Sequence, residues 1–236
     1  MSATLSCENV RAGYGDTEIL SNVCLNIGAG DVYALMGKNG AGKTTLAMTV
    51  LGVLPAKSGR ICLFGEDATA WEPHLITALG VTCAPQENAF FQDLTVNENL
   101  RLGCLSLSRS AFQRGRERIT RMFPFIGERL KQRAGTLSGG EQAMVKVARA
   151  LLPEPRFVLL DEVTEGLQPM TVNRVCDVLL VDHRERKTTV LAIEQNIEFV
   201  RRFATRFGLM ERGLIAGEGY FSDRDAIQRI SCHLSV

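Results

Sequence analysis

The stretch Gly37-Lys38-Asn39-Gly40-Ala41-Gly42-Lys43-Thr44 constrains the fold more than any other feature of this chain. It matches G-x-x-x-x-G-K-[ST]. The apolar run Val32–Met36 precedes it, and a helix-forming stretch from Lys43 to about Leu51 follows. In that context, glycines let backbone N–H groups converge on phosphate oxygens at the positive end of a helix. Lys43 reaches the terminal phosphates, and the Thr44 hydroxyl can ligate Mg²⁺.

The rest of the chain alternates around this unit. Arg60–Phe64 and Val81–Ala84 read as strands, whereas residues 97–151 hold no convincing strand. Asn97–Leu105, Ser110–Phe123 and Gly140–Leu152 read as helices, closed by Pro153 and Pro155. Phe157–Leu160 is a buried strand, Pro169–Asp182 a helix and Val190–Ile193 a strand. This order predicts an α/β core with a mainly parallel sheet, interrupted by a helical insertion. The expected division is 1–85 and 153–236 for the core and 86–152 for the insertion.

Composition narrows the function. With 27 Lys and Arg against 26 Asp and Glu, the net charge of +1 disfavours bulk nucleic-acid binding. No apolar run reaches the ~18 residues that span a bilayer. Met1–Arg11 lacks the apolar stretch of a signal peptide, so a cytoplasmic location is expected. The 7 cysteines are widely spaced, without a C-x-x-C pair, and read as reduced core residues.

Two further motifs carry chemistry. Phe157-Val158-Leu159-Leu160-Asp161-Glu162 is a buried strand that delivers two carboxylates to its C-terminal edge, where ligands bind in open α/β sheets. Asp161 can hold Mg²⁺ through water, and Glu162 can polarise an attacking water. Leu137-Ser138-Gly139-Gly140-Glu141 reads equally as a second anion site at a helix start or as a capping box between Ser138 and Glu141.

The order Gly37–Thr44, Gln86, Leu137–Glu141, Asp161–Glu162 resembles the ATP-binding subunits of ABC transporters over essentially the whole chain. The resemblance implies a P-loop NTPase core with N-terminal antiparallel strands and a helical subdomain carrying the signature. It implies two subunits sandwiching ATP head to tail, so that Ser138, Gly139, Gly140 and Glu141 contact the partner's nucleotide. Tyr14 matches the aromatic that stacks on adenine, and Thr45 extends the phosphate-loop contacts. Gln86 matches the glutamine that contacts Mg²⁺ and the attacking water. Gln195 stands where most members have a histidine. Asn88–Val96, with Phe90, Phe91 and Leu94, matches the region facing the membrane partner, or else seeds the helical subdomain. The basic run Arg109, Arg114, Arg116, Arg118 and Arg121 reads as a solvated face, or as a lipid head-group contact.

Glu165-Gly166-Leu167-Gln168-Pro169, Glu194-Gln195-Asn196 and Gly52–Gly59 are similar to the second ATPase of branched-chain amino-acid and urea importers. The expected partners are a second ABC ATPase subunit, integral membrane permeases and, indirectly, a solute-binding protein, with no nucleic acid. The expected location is peripheral, on the inner face of the cell membrane. Val163 replaces the proline that usually follows the carboxylates, Gln168 stands where many members have Asp, and Glu87 where glycine is frequent. Three alternatives compete. One is a soluble ABC ATPase acting on nucleic acid or ribosomes, and another is a poorly hydrolysing assembly subunit. A metabolite kinase or GTPase is the third, and Leu137–Glu141 argues against it.

Overall fold

A computed structural model describes residues 3–86 and 90–235. The elements run β1 (Ala3–Tyr14), β2 (Thr17–Gly28), β3 (Val32–Met36), α1 (Lys43–Val50), β4 (Ser58–Leu63), β5 (Glu66–Asp67), α2 (Pro73–Ala78) and β6 (Val81–Ala84). Helices α3 (Val96–Leu102), α4 (Arg109–Met122), α5 (Pro124–Glu128) and α6 (Gly139–Leu151) follow. The chain ends with β7 (Phe157–Asp161), α7 (Pro169–Arg186), β8 (Thr189–Ile193), α8 (Ile197–Val200), β9 (Arg206–Glu211), β10 (Leu214–Tyr220) and α9 (Ala226–Ser235). Among the described residues, no helix is long and apolar enough to cross a membrane.

Two sheets form. The smaller, β2-β1-β4-β5, is antiparallel; the larger, β10-β9-β3-β8-β7-β6, is parallel except for its β9–β10 hairpin. The central strands are buried on both faces, which explains their unbroken apolar runs. Along β3, Val32, Ala34 and Met36 enter the core beneath the helices, while Tyr33 and Leu35 enter the core between the sheets. Phe157 and Leu159 of β7 also join the inter-sheet core, with Leu46, Ala47 and Val50 of α1. The helix that begins at Lys43 is therefore held from both sides, and the loop before it has a rigid base.

The expected elements are present with small differences at their ends. Helix α7 runs to Arg186, four residues past the expected Asp182, because Lys187 closes it in a left-handed turn at φ 56°. The cysteine expectation needs correction. All seven are free, but Cys24 and Cys232 are exposed. Cys24 lies on the outer face of edge strand β2, and Cys232 on the open face of α9. The arginine run is not one uniform face. Arg109, Arg114 and Arg121 are exposed, but Arg118 turns inward to pair with the buried Asp182 at 2.8 Å. Arg116 donates to Asn97 Oδ1 at 2.9 Å and lies over the Phe112 ring.

Candidate active site

Four loops meet at the carboxyl edge of the large sheet because their strands are neighbours. In the order β3-β8-β7-β6, each parallel strand leads into a candidate residue. The phosphate loop follows β3, Gln195 follows β8, Asp161 and Glu162 close β7, and Gln86 follows β6. The register sets their heights. Asp161 lies opposite Ile193, the Glu162 N–H donates to Ile193 O at 2.9 Å, and the Glu194 N–H donates to Leu35 O at 3.2 Å.

The phosphate loop rests on the turn between β9 and β10, where Gly213 N donates to Ala41 O at 2.9 Å. Gly37 is required by a close approach, since a Cβ there would lie 2.4 Å from Met210 O. Gly42 opens α1 at φ 107°, a conformation L side chains rarely adopt. The Lys43 side chain, 4% exposed, donates to Gly37 O at 2.9 Å and Lys38 O at 3.1 Å, and pairs with Glu162 Oε1 at 3.3 Å. Two carbonyls and one carboxylate thus hold the ammonium where a phosphate group would compete for it.

Glu162 sits in the left-handed region at φ 47°, and its carboxylate is held from three directions. Gln86 Nε2 donates to Oε2 at 2.9 Å, Gln195 Nε2 donates to Oε1 at 2.9 Å, and Lys43 faces Oε1. Gln195 also donates to Asn39 Oδ1 at 2.7 Å, tying the loop after β8 to the phosphate loop. Val163 is buried, so losing the usual proline here leaves a packed residue.

Asp161 is 3% exposed, and its Oδ1 has no hydrogen-bond partner. Burial, then the Glu162 charge, pushes this carboxyl up to about 6, against the pull of the Thr44 hydroxyl and Lys43. An orphaned carboxylate oxygen beside a threonine hydroxyl is a hard oxygen donor set that suits Mg²⁺ completed by phosphate and water.

A cavity of about 410 Å³ opens above these groups. Tyr14, Asn39, Gly40, Gly42, Thr44 and Thr45 line it, with Lys43, Gln86 and Glu162. Tyr14 is 55% exposed at the cavity edge, with a ring face open to stacking. Gly37, Lys38 and Ala41 lie outside it; the first two contribute the carbonyls that hold Lys43. A larger cavity of about 800 Å³ lies behind the phosphate loop, against α9, and holds none of the carboxylates or glutamines named here.

Ser138–Glu141 stand apart from the nucleotide cavity, since none of the four lines it. Ser138 caps α6 in a complete capping box: Glu141 N donates to Ser138 Oγ, and Glu141 Oε2 accepts from Ser138 N and Oγ, each at 2.9 Å. Glu141 Oε1 also pairs with Arg129 at 3.0 Å. Both of its oxygens are committed, and hydrogen bonds from Ser138 hold its carboxyl below the usual range.

Two residues that the sequence reading did not assign shape the site, and a third orders the 90–96 stretch. Glu165 accepts from Gln86 Nε2 at 2.7 Å. Glu194 accepts from Thr164 N at 3.1 Å and Thr164 Oγ1 at 2.8 Å, bracing the loop after β7. Asn99 is fully buried and bonds Phe91 N and O, each at 3.0 Å. It turns Phe91 outward, 54% exposed, while Phe90 packs inward. Glu87, Asn88 and Ala89 lie outside the described residues.

Comparison with known proteins agrees with this geometry. Residues 20–165 match the family described as ABC transporter. The high-affinity branched-chain amino acid transport ATP-binding protein BraG of Pseudomonas aeruginosa is 36% identical, with 89% of this chain and 90% of that protein covered. The lipopolysaccharide export system ATP-binding protein LptB of Haemophilus influenzae is 33% identical, over 91% of this chain and 87% of its own. The crystal structure of the ADP conformation of MJ1267, an ATP-binding cassette of an ABC transporter, superposes with a TM-score of 0.80 at 27% identity, covering 98% of this chain and 99% of that one. A phosphate loop, a strand-borne carboxylate pair and a separate signature helix on this fold place the chain in the ABC transporter family, as an ATP-hydrolysing subunit of a transporter.

Proposed function

We propose that the chain energises an importer of a small polar solute, of the branched-chain amino-acid or urea class, from the inner face of the cell membrane. One observation carries the pairing that this requires. Ser138 lies outside the chain's own nucleotide cavity, at the exposed start of α6. A second ATPase subunit brings its phosphate loop to Ser138, Gly139 and Gly140, and Glu141 acts by holding Ser138. The 36% identity to a branched-chain amino-acid transport protein supports the solute class.

In this reading Tyr14 stacks on adenine, residues 37–45 hold the phosphates, and Lys43 exchanges Glu162 for the terminal phosphate. Thr44 and Asp161 hold Mg²⁺, with Gln86 beside it. Mg²⁺ bound there neutralises charge on the terminal phosphates. Glu162, steadied by Gln86 and Gln195, takes a proton from the attacking water, and Gln195 positions the phosphate without exchanging a proton. Hydrolysis reopens the ATP-closed pair, and the motion passes to separate permeases. Apolar side chains suited to receive them are exposed: Val53 at 57%, which lines a groove, Leu75 at 43%, and Phe91.

An exporter is the second reading, favoured by the 33% identity to a lipopolysaccharide export protein. Affinity purification of the tagged chain from detergent-solubilised membranes separates these readings. Recovery of two permease chains and a second ATPase supports the importer. Recovery of envelope-export components supports the exporter, and recovery of ribosomes or DNA sinks both.

A further inference from the structure

Gln86 is gripped from two sides, and one grip comes from a residue the nucleotide reading leaves without a role. Its Nε2 donates to Glu162 Oε2 at 2.9 Å and to Glu165 Oε2 at 2.7 Å. Two carboxylates select the nitrogen end of the amide, because an amide oxygen turned toward either would meet another acceptor. Both amide hydrogens are then used. Oε1 is the remaining acceptor, and it has no hydrogen-bond partner among the described residues.

The main chain is pinned too, since Lys146 Nζ of α6 donates to Gln86 O at 2.9 Å. Glu165 is itself presented by a braced loop. Glu165 N donates to Glu162 O at 3.3 Å, and the preceding Thr164 is fastened to the buried Glu194 at 2.8 Å. A single carboxylate would leave the amide one free hydrogen and a rotation about its last torsion. The second carboxylate removes that freedom.

We propose that Glu165 is a positioning residue for the divalent-cation site. By fixing the nitrogen end of Gln86, it leaves the carbonyl Oε1 as the end offered to the cation. The proposal rests on the cation-contacting role of Gln86 given above. Glu165 acts through orientation and not through its charge, so a neutral acceptor of the same shape replaces it.

The test uses the full-length chain with AMP-PNP, and Mn²⁺ as probe, its free concentration read by electron paramagnetic resonance. Glu165→Ala should weaken Mn²⁺ binding about fivefold, the size of one partly exposed charge-assisted hydrogen bond, with AMP-PNP binding in EDTA unchanged. Glu165→Gln should stay within about twofold of wild type. Gln86→Ala should lose at least as much, and adding Glu165→Ala to it should cost nothing further. Additive losses, an unchanged Glu165→Ala, or a Glu165→Gln as weak as the alanine variant would overturn the proposal. If Thr44→Ala still weakens Mn²⁺ in the same assay, only the positioning role has failed. If Thr44→Ala and Asp161→Asn also bind Mn²⁺ as wild type does, the cation site falls with it.

Discussion

Replacing Glu162 by glutamine separates two tasks that one carboxylate performs. Glu162 is the counter-ion of Lys43, at 3.3 Å with side chains 8% and 4% exposed. In the proposed turnover it takes the proton of the attacking water. At that distance and an effective dielectric near 20, the Coulomb attraction is roughly 5 kcal/mol before desolvation is counted. Desolvation cancels most of it, as in other buried pairs, and leaves about 1–2 kcal/mol. Nucleotide competes with Glu162 for the same ammonium, so whatever the free chain loses in Glu162→Gln, the bound chain regains. ATP should therefore bind about 5- to 30-fold more tightly to the variant. Hydrolysis should slow by roughly 10²–10⁴-fold, since an amide cannot accept the proton. Isothermal titration with ATP and single-turnover hydrolysis on the same preparations measure the two effects. Normal turnover removes Glu162 as the base. Weaker ATP binding in the variant refutes the competition for Lys43 even if turnover is lost.

Three other outcomes follow from the same geometry. Ser138→Arg should leave ATP binding by the isolated chain unchanged and lower the ATPase rate of the assembled complex at least tenfold, measured side by side; lost binding in the isolated chain would contradict the in-trans role. Gln195→Ala removes the amide donor shared by Asn39 Oδ1 and Glu162 Oε1 and should slow hydrolysis more than it weakens binding. Gln195→His should be tolerated with a new pH dependence near about 6.5, and superimposable rate–pH profiles for all three forms would exclude Gln195 from turnover. Burial pushes the Glu194 carboxyl up to about 7 from 4.5, so its neutral form favours the fold. That contribution is present below about pH 4.5 and is lost as pH rises through about 7. Glu194→Gln stays neutral, so its melting temperature should gain on the wild type across that interval, by up to roughly 3 kcal/mol in stability. A constant difference across pH would remove Glu194 as the titrating group.

Much of this site was legible in the sequence because its signals are local. The phosphate loop, the strand ending in Asp161–Glu162 and the cap Ser138–Glu141 each lie within eight consecutive residues, and each depends on backbone geometry that short motifs determine. Gln86 and Gln195 became legible only through family resemblance, since each is a loop glutamine whose meaning comes from the neighbouring strand. What escaped was convergence across the sheet. Glu165 meets Gln86 from 79 positions away, and Glu194 meets Thr164 from 30 positions away. Both contacts exist because β6, β7 and β8 are adjacent, a fact no periodicity records. Arg118 escaped for the opposite reason. It sits in a run of arginines that looks uniform until Asp182, buried in α7, draws that one inward. The exposure of Cys24 was hidden in the same way, because an alternating strand shows which residues share a face but not which face meets solvent.

The claim that this subunit drives import is tested most directly by transport itself. The complex recovered with the tagged chain would be reconstituted into lipid vesicles with this chain facing outward, and the matching solute-binding protein enclosed with labelled leucine or urea. External Mg²⁺–ATP should then move label out of the lumen, the direction that is import in the cell, and Glu162→Gln together with the equivalent substitution in the second ATPase subunit should abolish the flux. ATP-driven movement of label into the lumen, or flux that persists unchanged in the variant, would contradict the account.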